Sequence, residues 1–500
     1  MKTIAPPLSN ERIEQVYDLI VSECYLAYCG RKEAEQFVED LAAELPSEQS
    51  LGLLENFRNF LSTSPSDNDA WKAVKGLAEM ARNAGFNDIF IRHNARIFGP
   101  RPDDFVTSVN AETKHEKIVF IAEQPYFVIL REAMYLKRNG YKAFLISLWP
   151  ISENLRHLFD EHFDAVLDAG GDVSLLADTL KRFDADILHV QCGMWSLYLG
   201  RLAIENKGRA VVVCEFYDIT SVYADREVLL RNWSAAMVDL DFAMERYIAH
   251  HTDAVITRFP QKVISDWNAR HGATPRHITM QAYACPEFTA YGDEKLSATN
   301  GVIRLVYGGT IIPVNADHPP ELFPETGMPR ALRSFLEQGL AVDILHNPHS
   351  PIRDDDPAYA PFVALDREFP NFRLLNGVPP DEFAQTLAVY DYGMILMDYD
   401  KSVVRIGEGQ EKGVVATKIF AYMEAGLPVL VNAEYEEMAR IVTESGLGLA
   451  VHSSKFGALV ETLARFDYEA AVANVKRYNE DHGMAKEIHR LIALYDEIRP

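Results

Sequence analysis

Apolar and polar positions change their spacing near Lys117. Upstream, ERIEQVYDLIVSECYLAYC (11–29) and KEAEQFVEDLAAEL (32–45) carry apolar residues every three or four positions, which predicts amphipathic helices. SPSDNDAWKAVKGLAEMARNAG (64–85) opens on Ser and Asp and closes on Asn-Ala-Gly, so it predicts a capped helix. RIFGPRPDD (96–104) predicts a linker. From Lys117 the runs become short and β-branched. KIVFIAE (117–123) predicts a strand buried on both faces. VILREAMYLKRNGY (128–141) returns to helical spacing with Gly140 at its C-cap, and AFLISLW (143–149) is a second strand. FDAVLDA, ADILHVQC, RAVVVCEF and DAVITRF continue the series up to Phe259. Strands alternating with helices predict a parallel sheet with right-handed crossovers.

A polar interval, TAYGDEKLSATNG (289–301), precedes a second block of the same kind. Its strands are VIRLVYGGT, AVDILHNP, FRLLNGV, YGMILMD, LPVLVN and GLGLAV, with helices such as MPRALRSFLEQG and DEFAQTLAVY between them. The expected fold class is therefore α/β, with two doubly wound Rossmann-like domains and an α-helical N-terminal extension. The expected divisions are 1–110 for the extension, 111–295 and 296–480 for the two domains, and 481–500 for a helix packing back towards the first. Ligands of open parallel sheets lie beyond the carboxyl ends of the strands, so two such sheets place a ligand in the cleft between them.

Charge narrows the partners. The 500-residue chain has 49 basic and 73 acidic residues, a formal charge of −24. Such a surface repels nucleic acid and anionic lipid, so any anionic ligand must be held locally. The five cysteines are scattered without a CxxC pair, so no metal site is expected and free thiols are the simple reading. The N-terminus lacks an apolar signal core, and no run of about 18 apolar residues occurs, so no transmembrane segment and a cytoplasmic location are expected.

The run ATKIFAYMEAGLPVLV (416–431) resembles the lysine, helix and "Y-M-x-A-G-x-P-V" strand entry of GT-B glycosyltransferases, close to the retaining family 4. NFRLLNGVPPDEFAQTLAVYDYGMILM (371–397), the opening unit from Lys117, ADILHVQ and MERYIAHHTDAVITRF (244–259) resemble other segments of that family. The resemblance covers about residues 115–500 and leaves the first hundred or so outside. It implies a glycosyltransferase that moves a sugar from a nucleotide-diphosphate donor, UDP- or GDP-linked, with no permanently bound cofactor. The donor would lie on the second domain and the acceptor on the first. That acceptor would be a glycan, a lipid-linked group or a protein, and the N-terminal helices would serve acceptor docking or homo-oligomer formation.

Gly308, Gly309 and Thr310 follow the first strand of the second block, where close approach of backbone to phosphate needs residues without a Cβ. Lys418, with Ile419 beside it at a helix start, is the first candidate to neutralise the leaving diphosphate; Arg405 is the second. His346 and His349 follow a strand at the cleft edge, and Glu424 is a further donor-contact candidate. Asp218 and Glu215 are the catalytic candidates of the first block, with His189 as a weaker one. Glu245 resembles a family position, with pairing to Arg246 as the alternative; His250 and His251 suit a helix end.

The family's two glutamates, eight positions apart, fall at Gly413 and Ala421 when Lys418 is aligned. The basic pair after the glycine loop is also missing, since GGTIIPVNADHPP offers only His318. These departures keep two alternatives open: a binding or scaffold protein on the same fold, and a sugar-nucleotide epimerase whose acid/base groups would be Glu215 and Asp218.

Overall fold

The computed structural model describes residues 5–22, 31–98, 102–347, 352 and 356–499. Cys24, Cys29 and His349 lie outside the described residues. The first sheet contains β1 (Lys117–Ala122), β2 (Lys142–Ser147), β3 (Ala165–Asp168), β4 (Ile187–Cys192), β5 (Val211–Phe216), β6 (Ala254–Thr257) and β7 (Arg276–Thr279). Their spatial order is β3-β2-β1-β4-β5-β6-β7, and every pairing is parallel. The second sheet contains β8 (Arg304–Gly308), β9 (Ala341–His346), β10 (Phe372–Asn376), β11 (Tyr392–Ile395), β12 (Val429–Asn432) and β13 (Gly448–Val451), in the order β10-β9-β8-β11-β12-β13. This is the expected fold class: two doubly wound lobes behind a helical N-terminal region. The one strand not expected is β7, a four-residue edge strand whose residues are only partly buried.

Both sheets reverse their strand order once, between β1 and β4 and between β8 and β11. Loops leaving the carboxyl ends of these strands diverge and leave a crevice there.

The N-terminal helices divide between two cores. Those spanning 31–98 enclose Phe37, Phe57, Leu61, Val74 and Phe90 among themselves. The helices Asn10–Val21 and Pro102–Ala111 instead send Tyr17, Phe105 and Val109 into the core of the first lobe. Arg201 reinforces the first of these contacts, pairing with Glu14 at 2.6 Å.

Two contacts set the distance between the lobes. On one side, Arg131 of the helix Phe127–Arg138 is buried. It donates to the carbonyls of Ala282 and Tyr283 at 2.9 and 2.7 Å and to Glu424 at 2.7 Å. The other Glu424 oxygen accepts the Cys285 amide at 2.7 Å. Burial pushes the Glu424 carboxyl above its ordinary pKa, and Arg131 works against that rise. One ion pair thus joins the first lobe, the crossing segment and the second lobe.

On the other side, Gly407, Gly409 and Gly413 press the short helix Glu408–Gly413 against Val222, Phe259 and Val263. A Cβ at Gly413 would stand 2.7 Å from Val263 Cγ2 and 3.1 Å from Phe259 and Pro260. A larger side chain at Gly413 would press into this contact between the lobes.

Removing one partner of a buried ion pair leaves the other charge stranded. Arg131→Met should therefore cost about 3–5 kcal/mol of unfolding free energy. Arg131→Met combined with Glu424→Gln should cost clearly less than the sum of the single changes, as read by urea titration. Additive losses would mean that the two groups are not coupled.

Candidate functional site

The first crevice opens where β1 and β4 diverge. Glu123, Gln124 and Tyr126 from one side, Gln191 and Gly193–Ser196 from the other, and Tyr217 and Asp218 after β5 line a cavity of about 160 Å³. The Gly193–Ser196 turn is tightly held: the Gly193 amide donates to Ser196 Oγ at 3.1 Å. Trp195 adopts φ +73°, a conformation costly for a bulky residue. Asp241 stabilises it from below, accepting the Trp195 amide at 3.2 Å and the Thr220 hydroxyl. Burial raises the Asp241 carboxyl from 3.8 to about 7.

Tyr217 forms the wall facing the second lobe. Tyr126 stacks on its ring at 4.6 Å, nearly parallel at 3°, and the Arg258 guanidinium lies 4.2 Å from its centroid. Arg258 also pairs with Asp218 at 2.5 Å and reaches the Val415 carbonyl of the second lobe at 3.3 Å. Asp218 therefore orients a cation that faces the cleft.

The second crevice lies where β8 and β11 diverge. A Cβ at Gly308 would stand 2.4 Å from the Phe383 ring. Gly309 has φ +120°, and a Cβ there would lie 2.9 Å from Lys418 Cε. The glycine turn and the lysine stem are thus in direct contact, and both positions require glycine. Lys418 Nζ stands 5.3 Å from the Tyr307 ring centroid. Among the described residues, no carboxylate lies within ion-pair distance of it; Lys418 has the field of Glu325 and Tyr217 nearby. Burial lowers the pKa of this ammonium, and the neighbouring Arg258 adds to the effect. Glu325 is itself held protonated more strongly than usual by burial. A partly desolvated cation without a paired carboxylate, beside a turn without Cβ atoms, is suited to a phosphate group.

The chain also has relatives in structure. Residues 359–485 match the family model described as the glucosyltransferase 3-like C-terminal domain. Anabaena HepE, solved in complex with UDP, superposes with a TM-score of 0.52 at 13% identity, covering 75% of this chain and 98% of that one. The chain has a GT-B fold. An O-GlcNAc transferase variant from Thermobaculum terrenum superposes with a TM-score of 0.48 at 14% identity, covering 80% of this chain and 69% of that one. The UDP-GlcNAc 2-epimerase of Neisseria meningitidis, bound to UDP-GlcNAc, gives 0.44 at 12% identity, covering 76% and 100%. No curated protein matches the chain in sequence.

Within this GT-B cleft the expected residues separate into two groups. Gly309 and Lys418 meet beside Gly308, and Asp218 is linked to the second lobe through Arg258. Thr310 stands beside them, exposed, with its carbonyl accepting the Tyr307 hydroxyl at 3.0 Å. His346 is buried at the end of β9, where Nδ1 accepts the Ile311 amide at 3.3 Å.

The other candidates are committed elsewhere. Both Glu424 oxygens are used at the lobe junction. Arg405 folds back on its own loop, donating to the carbonyls of Val404 and Ser402 at 2.7 and 2.6 Å, and the nearby Glu408 pairs with Lys412 at 2.7 Å. Ile419 is a core side chain, and its amide bonds to the Ala416 carbonyl at 3.2 Å. The helix Lys418–Glu424 has only seven residues, and the Phe420 amide bonds to Thr417 at 3.1 Å, so the positive charge here belongs to the lysine rather than to the helix end. Glu215 and His189 lie beneath the cleft floor. Glu245 does not pair with Arg246; it accepts from Trp267, His271 and the Ser221 amide at 2.6, 2.8 and 2.9 Å.

Arg258, Tyr217, Tyr126 and Asp241 were not singled out by sequence. Arg258 had a usable signal, a charge directly after the strand DAVIT; the others depend on contacts between distant segments.

Asp241 makes the site pH-sensitive with a defined sign. Its folded pKa lies above the unfolded value, so its contribution to stability is greatest below pH 3.8 and falls as pH rises towards about 7. In urea titrations across that window, Asp241→Asn should gain stability relative to the wild type with rising pH. Parallel pH curves for the two proteins would contradict the assignment.

Proposed function

We propose that the chain is a glycosyltransferase that transfers a sugar from a nucleoside-diphosphate donor to an acceptor bound against the first lobe. The observation carrying this reading is Lys418: a desolvated ammonium in contact with the Gly308–Gly309 turn, inside a segment matching a glucosyltransferase-like domain. The diphosphate would lie across the glycine turn, with Lys418 and Arg258 neutralising the charge that develops as the sugar–phosphate bond breaks. Such fixed charge in a site of low dielectric favours the transition state over the ground state. The acceptor oxygen forms the new bond to the anomeric carbon, its proton passes to a base on the first lobe, and the nucleoside diphosphate leaves. Asp218, at the cavity wall, is the carboxylate best placed for that proton. The UDP bound to the Anabaena relative supports a uridine donor.

A second reading, a binding protein on the same fold, is favoured by Gly413 and Ala421 standing where the resembling family carries glutamates. The cavities of the cleft measure about 160 Å³ on the first lobe and about 90 Å³ beside Glu325 and Tyr435. Sites for drug-sized ligands usually enclose about 300–1,000 Å³. Cavities of this size would have to widen to admit a nucleotide under either reading.

Incubation with a panel of UDP- and GDP-sugars, following nucleotide release, separates the two. The transferase reading expects release from at least one donor. It also expects a loss of roughly 10²–10³-fold in kcat/KM for Lys418→Met, the scale for removing one such charge-stabilising group. Thermal stabilisation by a nucleotide without release from any donor would favour the binding protein.

A further inference from the structure

Beneath the floor of the first crevice, three ionisable side chains meet inside the apolar core. His189 on β4 and Glu215 on β5 point to the same face of the first sheet, and Glu132 descends from the helix Phe127–Arg138 that covers it. Glu132 and His189 have no solvent exposure, and Glu215 has 8%. His189 Nε2 stands 3.4 Å from Glu215 and 3.8 Å from Glu132. One donor atom from each residue falls within 4.8 Å of the others. Both oxygens of Glu132, His189 Nε2 and one oxygen of Glu215 have no hydrogen-bond partner. Buried polar atoms almost always have one, so four orphans in one place call for an occupant.

We infer that Glu132, His189 and Glu215 bind a divalent transition-metal ion, zinc by preference, in a structural site separate from the donor cleft. Donor atoms about 2.0–2.2 Å from a tetrahedral zinc are about 3.4 Å apart, close to the two separations from Nε2. One imidazole and two carboxylates suit zinc among the common ions, and a dication cancels the charge of two ionised carboxylates in the core. The remaining position falls to the second Glu132 oxygen or to a water.

The imidazole is already oriented for this role. Its Nδ1 is 2.6 Å from Tyr495 Oη, which leaves Nε2 facing the carboxylates, and Phe120 stacks on the ring at 4.8 Å. A hydrogen bond from the far nitrogen is the usual support of a metal-bound histidine. Tyr495 comes from the helix Met484–Ile498, so an ion here would fix that helix to the first lobe. Without an ion, burial and the neighbouring Glu215 would keep Glu132 protonated. That is the competing state.

The test uses the full chain, refolded from denaturant with either Zn²⁺ or EDTA, freed of loose metal and analysed by elemental mass spectrometry. About one zinc per chain is expected, with a higher melting temperature than the EDTA-refolded sample. Co²⁺ in place of zinc should give visible d–d absorption. Glu132→Gln, which keeps the shape, should lose the ion and the EDTA sensitivity. Tyr495→Phe should keep the ion with affinity reduced about 10–100-fold. Wild-type protein with near-zero zinc after refolding in Zn²⁺, and identical melting with and without EDTA, would overturn the assignment in favour of a metal-free cluster with Glu132 protonated.

Discussion

The buried contact between Arg131 and Glu424 sets the frame for everything in the cleft. Two charges inside an apolar junction are tolerable only while they face each other with further hydrogen bonds around them. Arg131 also grips two carbonyls of the crossing segment, and Glu424 the Cys285 amide, so neither can shift alone. The opposite edge is closed by glycines, whose missing side chains let the second lobe rest directly on Val222 and Val263. Between these supports the two strand-order reversals face each other, and Lys418 meets the wall made by Tyr217, Asp218 and Arg258.

The electrostatics of that wall follow from the rest of the surface. With a formal charge of −24, the chain offers an anion no long-range attraction. Positive charge is instead concentrated at two partly or fully desolvated side chains, where lower dielectric strengthens each interaction. Asp218 neutralises part of Arg258 and fixes its direction, whereas Lys418 has no such carboxylate among the described residues. The lysine is therefore the group whose charge an incoming diphosphate would match.

The fold was legible because its signals are local. Short apolar runs such as KIVFIAE with helical spacing between them announce a parallel sheet, and all six strands of the second lobe fall within runs read this way. β7 escaped because a short edge strand has no fully buried face. Gly308, Gly309 and Lys418 were readable as strand-end and helix-start positions. Glu424 and Arg405 were not, because a carboxylate within a motif looks the same whether it meets a ligand or an arginine 293 residues away. The packing of Gly413 against the first lobe is likewise a contact between segments far apart in sequence. The cluster of Glu132, His189 and Glu215 joins two strands and a helix whose sequence spacing matches no metal motif.

Calorimetric titration of the wild type and Lys418→Met with UDP and with uridine addresses the role of Lys418 most directly. UDP should bind the wild type far more tightly than uridine, and removing the ammonium should abolish most of this difference while leaving uridine binding unchanged. Equal UDP affinity in the two proteins, or no UDP binding to the wild type, would contradict that role.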